Sequence, residues 1–162
     1  MTRIDLLESF KAFTELTLAE LSLPERMHKN DTEQTLRAPE VHLMGLPDVA
    51  SYRNKAPYII HWLNTGSDVQ QAGSFPESSA EILSIFCVYS DNPERGNMML
   101  LEMAERLRIA LLRQQIIDDR FVLDLTKGVT FTPYMDPTDP YYCGEMTTSW
   151  QLPHIPREVA YY

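Results

Sequence analysis

The sequence offers few residues with the spacing that metal chemistry requires. It contains four histidines: His28, His42, His61 and His154. Zinc sites usually place two ligands a few residues apart, but these histidines are scattered and show no i,i+4 or His-x-His spacing. We therefore expect no metal site. His61, inside an apolar segment, is expected to be buried, and the others are expected at the surface or partly buried.

Two cysteines, Cys87 and Cys143, are the candidates for thiol chemistry. Cys87 lies in an apolar segment and is expected to be a small core residue. Cys143 has no sequence context typical of a catalytic cysteine. A single disulfide between two cysteines could not hold together a chain of this size. The presence of two cysteines fits a reducing compartment at least as well as an oxidising one.

Phosphate binding and acid–base catalysis find little support. The six glycines never approach the spacing of a phosphate-binding loop. Glu145 is a lone acid, and acid–base catalysis normally needs a second positioned group. Asp118-Asp119 and Asp136…Asp139 could bind a divalent cation weakly, but aspartates in turns usually bind backbone amides. The sequence predicts no catalytic residue and no metal, nucleotide or covalent cofactor, and an enzyme is not expected.

The remaining candidates are aromatic residues in a proline-rich segment. Tyr134, Tyr141 and Tyr142 lie among prolines, shortly before Glu145. Tyrosines in stiff loops are common in protein interfaces because they offer contact area at low entropic cost. The interface hypothesis predicts that these four residues contact a neighbouring subunit or a partner protein. The alternative, that the rings cover one end of the core, is equally compatible with the residues alone.

Two helices are predicted to position these residues. The first covers residues 1–23, up to Pro24, with a break possible within residues 14–17. Its predicted apolar face is Ile4, Leu7, Phe10, Phe13, Leu16, Leu18 and Leu21. The second covers residues 95–115 and follows Asp91-Asn92-Pro93-Glu94, a segment that supplies a cap, a proline at the first position and an acid. Its predicted buried stripe is Leu100, Met103, Ala104, Leu107 and Leu111.

The strands are predicted over residues 40–46, 58–63, 80–89, 121–126 and 143–152. The first lies between prolines, which suits an edge strand. The second and third are apolar on both faces, as central strands are, and residues 64–79 between them are predicted to be a turn-rich connection. This order predicts an α+β fold with a mostly antiparallel sheet of four to five strands, packed by the N-terminal helix and the long central helix. Residues 1–162 are expected to form a single domain, with a polar loop at about 24–39.

Composition limits the classes of function. Fourteen Lys and Arg against 23 Asp and Glu give a formal net charge of -9. Sequence-independent DNA binding is not expected, because neutralising phosphates requires clustered cations. The N-terminus carries acids where a signal peptide would be apolar, and the apolar runs are shorter than the roughly 20 residues that cross a bilayer. A soluble protein folded in a cytoplasm is expected.

Four segments resemble a family of small tail proteins of prophages and long-tailed phages of Gram-positive bacteria. They are PYIIHWLNTGSD, ILSIFCVYSDNPERG, MLLEMAERLRIALL and DPTDPYYCGEMTTSWQLPHIPRE. Members open a central strand with a Pro-Tyr pair, here Pro57-Tyr58. They also lead from a tyrosine-rich turn into a Gly-Glu-Met-Thr-Thr strand with a tryptophan, here residues 144–150, and close with proline and Arg-Glu, here residues 153–158. The resemblance covers roughly residues 39–158.

These proteins are similar to tail terminator, or tail-completion, proteins. The resemblance implies an α+β subunit that assembles as a homo-hexameric ring at the head-proximal end of the tail tube. The ring would end tube polymerisation and provide the head–tail joining surface. Its implied partners are copies of itself, the major tail tube protein and a head-completion or connector protein. The implied location is the tail–neck junction of the virion, after assembly in the bacterial host cytoplasm, with no catalytic residues carried over.

No contact with a membrane is expected. No sequence-specific contact with nucleic acid is expected either, because DNA only passes through the lumen of such a ring. An acidic wall suits that passage, since it does not hold a polyanion. Three alternatives stay open. The chain could be another neck protein, such as a head-closure or adaptor protein. It could also be a small enzyme whose site is assembled from distant residues, or a monomeric module that binds a peptide along the edge strand at residues 40–46.

Overall fold

A computed structural model describes residues 1–27, 29–47, 55–135 and 139–158. In chain order the elements are α1 (Arg3–Leu18), β1 (Leu23–Pro24), β2 (Leu36–Arg37), β3 (Glu40–Leu43), β4 (Tyr58–Val69), β5 (Glu77–Tyr89), α2 (Pro93–Gln114), β6 (Ile116–Ile117), β7 (Phe121–Leu123), β8 (Thr130–Pro133) and β9 (Tyr141–Leu152). Two helices and a sheet confirm the predicted α+β class.

The main sheet has seven strands in the order β3-β4-β5-β9-β7-β6, and β8 also pairs with β9. Its pairs are antiparallel except β3–β4, which is parallel with Glu40 opposite Tyr58. The sheet is therefore mixed, and the predicted four to five strands are too few. The additional strands β6 and β8 have two and four residues, too short to show a hydrophobic period.

The β4–β5 hairpin is longer than the sequence predicts. Its pairing runs from Tyr58 opposite Cys87 to Val69 opposite Glu77, so most of the predicted connection over residues 64–79 is strand. The distal half of the hairpin is polar and exposed. Because no core packs against it, its sequence lacks the apolar alternation that identifies a strand and resembles that of a turn. Arg3 fastens this half to α1: its guanidinium donates to the carbonyl of Ser67 at 2.9 Å and of Ser79 at 3.1 Å.

Helix α1 is continuous through residues 14–17, so the break that the two threonines allow does not occur. Thr14 and Thr17 donate their hydroxyls to the carbonyls of Phe10 and Phe13, at 2.8 and 2.7 Å. These bonds let threonine stay in a helix without competing for other backbone groups. The helix buries Leu6, Leu7, Phe10, Thr14 and Leu18.

The predicted apolar face of α1 is partly wrong. Ile4 and Leu16 were placed on it, but their side chains are 67% and 81% exposed. The buried face includes Leu6 and Thr14 instead. Thr14 can be buried because its hydroxyl has hydrogen-bond partners. A prediction based on hydrophobicity alone does not detect such partners.

Helix α2 confirms its prediction closely. The Asn92 side chain accepts a hydrogen bond from the Arg95 amide at 3.0 Å, and Pro93 is the first helical residue. All five residues of the predicted stripe are buried: Leu100, Met103, Ala104, Leu107 and Leu111. Glu102 and Arg106 form the expected exposed i,i+4 ion pair at 3.0 Å.

The core lies on both faces of the central strands. Residues of both helices pack on one face in a large cluster with Ile59, Phe86 and Tyr142. On the opposite face, Tyr58, Cys87 and Tyr141 belong to a second cluster. This arrangement explains why the central strands are apolar at successive positions.

The polar segment over residues 24–39 is built around the β1–β2 pair. Arg37 ties it to the main sheet, because its guanidinium donates to the carbonyls of Pro57 at 3.0 Å and Lys55 at 2.6 Å and pairs with the Glu25 carboxylate. A loop prediction is therefore incomplete for this segment. Among the described residues, neither helix is long and apolar enough to cross a membrane.

Candidate interaction surface

An apolar groove of about 380 Å³ lies between the first half of α2 and the end of β8. Its lining residues are Asn97, Met98, Leu100, Leu101, Phe131, Pro133, Tyr134 and Met135. Leu100 is buried and joins the groove to the core, whereas Met135, Met98 and Leu101 are 91%, 61% and 42% exposed. Contiguous exposed apolar side chains are typical of sites where a protein binds a partner.

Tyr134 is held in the groove wall by two hydrogen bonds. Its backbone amide donates to the Cys143 carbonyl at 2.9 Å, and its hydroxyl donates to the Glu145 carboxylate at 3.2 Å. Partial burial, together with the Glu145 carboxylate, raises the pKa of Tyr134 to about 12. The hydroxyl therefore stays protonated at neutral pH and cannot act as a base, but the ring is 40% exposed and can contact a partner.

The floor of the groove depends on Gly144. Phe131 packs edge-on against Phe86 with ring centroids 5.7 Å apart. A methyl group on Gly144 would lie 2.9 Å from Cζ of Phe131 and 3.1 Å from Cα of Pro133, closer than ordinary contact. The glycine of the Gly-Glu-Met-Thr-Thr segment thus lets β8 approach β9 and form the groove.

The structure separates the four predicted interface residues. Tyr134 and Glu145 lie together beside the groove, whereas Tyr141 and Tyr142 are 4% and 0% exposed. The prediction that all three tyrosines form an exposed aromatic surface is therefore wrong for Tyr141 and Tyr142. They are the first two residues of β9, where the strand is covered on both faces.

Each buried tyrosine has a place in the core and a partner for its hydroxyl. The Tyr141 hydroxyl accepts from the Arg26 guanidinium at 3.1 Å. The Tyr142 hydroxyl donates to Asp139 at 3.2 Å. The Tyr142 ring lies so close to α2 that a methyl group on Gly96 would be 2.2 Å from it. A glycine at this position in the first turns of α2 makes room for the ring.

Three residues of the groove, Met98, Leu101 and Met135, could not be identified as functional candidates from the sequence. A signal was present, since Met98 and Leu101 are apolar residues of α2 that lie off its buried stripe. Apolar residues off a buried stripe indicate a contact surface when they cluster with others in space. A single exposed apolar residue indicates nothing, because such residues are common in proteins. The pairing of β8 with β9, on which α2 packs, places Met135 beside the same groove.

His61 is fully buried, as predicted, within a hydrogen-bonded chain of three side chains. Its Nε2 lies 2.9 Å from the Thr14 hydroxyl, its Nδ1 lies 2.7 Å from the Ser84 hydroxyl, and its ring stacks on Phe10 at 4.0 Å. Thr14 donates its proton to the Phe10 carbonyl, so it accepts from Nε2–H, and Ser84 donates to Nδ1. The contact between Thr14 and His61 fastens α1 to the sheet, and the contact between His61 and Ser84 links β4 to β5. Thr14, His61 and Ser84 are all 0% exposed, so this chain of side chains has no access to a substrate.

His61 should make stability depend on pH between pH 7 and pH 5. Burial lowers the pKa of His61 from 6.5 to about 3, so in this range only the unfolded chain takes up the proton. The free energy of unfolding should therefore fall by about 2 kcal/mol from pH 7 to pH 5. Urea denaturation at the two pH values measures this difference.

The matched variants are His61→Gln and His42→Gln. His61→Gln should lose most of the pH dependence, whatever its absolute stability, and His42→Gln should keep it, because His42 lies in β3, outside the buried chain of Thr14, His61 and Ser84. Asp68 and Asp118 have lowered pKa values, caused first by hydrogen bonds from Ser78 and Arg120 respectively, and lose their contributions at lower pH. A wild-type protein equally stable at pH 7 and pH 5 would contradict the proposed neutral state of His61.

Among the residues that the structure describes, the other candidates from the sequence are not brought together into a site. Asp118 pairs with Arg120 and accepts from Ser9, and His154 is exposed. His28 and Asp136 lie outside the described residues. Within the described part of the chain, no three His, Cys, Asp or Glu side chains are close enough to hold a metal ion.

Comparison with known proteins gives a likeness of fold. No protein-family model matches the chain, nor does any curated protein. A solved structure is similar over 97% of this chain and 99% of its own, with a TM-score of 0.58 and 10% sequence identity. At this identity the likeness shows a shared fold and carries no function with it.

Proposed function

We propose that the protein is a structural virion protein that forms a hexameric ring at the head-proximal end of a phage tail tube. In this role it ends tube polymerisation and offers the surface on which the head joins. Its partners would be copies of itself, the major tail tube protein and a head-completion or connector protein. The assignment to a tail terminator rests on the resemblance of residues 39–158 to that family.

The observation that carries the proposal is the exposed apolar groove. It borders β9, the strand whose Gly-Glu-Met-Thr-Thr segment carries the most specific part of the resemblance. Met98, Leu101 and Met135 leave apolar surface in water, and covering it with another protein would be favourable. A second copy of the chain is the proposed occupant, with Tyr134 and Glu145 at the margin of the contact.

The net charge of -9 supports a ring through which DNA passes. An anionic wall repels the phosphate backbone, so the duplex moves without being bound. The same negative charge disfavours a role in which the protein itself binds nucleic acid.

The alternatives receive less support. Another neck protein, such as a head-closure or adaptor protein, would use a similar groove and differ in its partner. A small enzyme receives less support, because the lining of the groove offers a single titratable side chain, Tyr134, and acid–base catalysis normally needs a second positioned group. A peptide-binding module would use β3, which lies at an edge of the sheet, where an extended peptide could add a strand.

Oligomer formation tests the groove directly. Light scattering and native mass spectrometry of the wild-type protein at high concentration, with and without tail tube protein, should detect a hexamer. Met98→Lys combined with Met135→Lys should weaken assembly by about 100-fold or more. The contact would then have to bury two lysine charges where the wild-type protein buries two apolar side chains.

Ile109→Lys is the matched control. Ile109 lies on the same helix, is 40% exposed and does not line the groove, so its variant should assemble normally. All variants should melt near the wild-type temperature, which separates assembly from folding. If the double lysine variant forms the same oligomer as the wild type, the groove is not the subunit contact. A wild-type protein that stays monomeric beside the tube protein would contradict the ring.

A further inference from the structure

Cys87 and Cys143 lie directly opposite each other on neighbouring strands. In the antiparallel pair β5–β9, the register places Cys87 against Cys143, although they are 56 positions apart in the chain, and their sulfur atoms are 2.8 Å apart. The sequence alone does not predict this pair, because nothing in it indicates which positions of two distant strands lie opposite each other.

The backbone geometry suits a bond between them. Directly opposite residues of antiparallel strands have Cα atoms about 4.5 or 5.5 Å apart, depending on the type of pair. Both distances fall within the roughly 4.4–6.8 Å over which disulfides form. The two strands pair continuously from Ser78–Leu152 to Tyr89–Tyr141, so no rearrangement of the sheet is needed to bring the sulfur atoms together.

The two thiols differ in their access to solvent. Cys87 is 0% exposed, in the cluster that contains Tyr58 and Tyr141, whereas Cys143 is partly buried at the margin of the same cluster. Reaction with a small molecule therefore begins at Cys143. Cys87 is accessible to the Cys143 sulfur next to it and shielded from larger reagents.

We propose that Cys87 and Cys143 are a reversible disulfide site, oxidised by exchange with a low-molecular-weight disulfide such as oxidised glutathione. The Cys143 thiolate attacks one sulfur of the small disulfide and expels one small thiolate, leaving a mixed disulfide on Cys143. The Cys87 thiolate then attacks the Cys143 sulfur and expels the second small thiolate. The protein loses two electrons and two protons, one bond forms between the two cysteines, and the small disulfide is reduced to two thiols.

The bond would affect stability and the neighbourhood of the groove. It cross-links residues 56 positions apart, which restricts the unfolded chain and should raise the melting temperature on the order of 10 °C. The Cys143 carbonyl accepts the hydrogen bond from the Tyr134 amide, so the cross-link would also fix the strand that holds the groove wall. The inference does not depend on the proposed function.

The test uses the full-length protein and oxidised glutathione as the probe. After incubation and quenching, intact mass spectrometry should show a mass lower by two hydrogen atoms, and peptide mapping should find the Cys87–Cys143 cross-link. A reducing agent should restore the original mass and melting temperature. The proposal is overturned if the wild-type protein does not react, keeps a glutathione adduct on Cys143, or forms disulfides between chains.

Two variants separate the roles of the cysteines. Cys87→Ala should accumulate a glutathione adduct on Cys143, because no second thiol resolves it. Cys143→Ala should stay unmodified in its folded state, because Cys87 is buried. Modification of Cys87 in folded Cys143→Ala would contradict the order of the two steps. The cross-link in the wild-type protein is decisive even if one variant folds poorly.

Discussion

Leu107→Asp should leave no cooperatively folded protein. Leu107 is 0% exposed in the middle of the buried face of α2. The substitution removes a core side chain, at a cost of about 2–5 kcal/mol, and adds an unpaired carboxylate to the core. Together these costs are comparable with the whole stability of a typical domain, about 5–15 kcal/mol. The soluble yield and thermal melting, followed by circular dichroism, measure the outcome.

Ile109→Asp is the matched control for this prediction. It places the same charge two residues further along α2, on a side chain that is 40% exposed, and should change the free energy of unfolding by less than about 1 kcal/mol. If Leu107→Asp were soluble and melted cooperatively near the wild-type temperature, the packing of α2 on the sheet would be wrong.

Tyr142→Ala should lower the free energy of unfolding by about 3–5 kcal/mol, because it leaves a cavity where a large ring contacts both helix and sheet. For a chain of this size the melting temperature should fall by roughly 10 °C. Tyr142→Phe keeps the ring and removes the hydroxyl that donates to Asp139, so its loss should be about 1 kcal/mol. Urea denaturation of the three proteins gives the comparison.

Tyr134→Ala completes the test of the proline-rich turn. Tyr134 is 40% exposed, so its removal should change the melting temperature little and act on assembly instead. An unchanged melting temperature for Tyr142→Ala would return Tyr142 to the interface hypothesis. A large loss of stability for Tyr134→Ala would make the groove wall part of the fold rather than a contact surface.

The best sequence predictions are those in which local chemistry and burial agree. Asn92 and Pro93 begin α2 as predicted, and the stripe containing Leu107 is buried, because a capping side chain and a helical period act over a few residues. The same is true of His61, whose apolar neighbours in β4 predicted its burial. Its partners Thr14 and Ser84 come from distant elements, so the hydrogen-bonded chain could not be predicted.

The groove and the cysteine pair depend on strand register, which the sequence does not encode locally. Met98 and Met135 line one groove because β8 pairs with β9 under α2, and Cys87 lies opposite Cys143 because β5 pairs with β9. Tyr141 was misplaced for a related reason: a tyrosine among prolines looks like a surface loop until the strand it begins is found in the centre of a sheet.

The most direct test of the proposed function is electron microscopy of tails produced when the gene is deleted from its phage or prophage. The proposal predicts tails of excessive and variable length, or heads and tails that are not joined, with normal particles restored by the wild-type gene. The folded Met98→Lys/Met135→Lys variant should not restore them, and Ile109→Lys should. Tails of normal length joined to heads in the deletion strain would contradict a role in ending the tail tube.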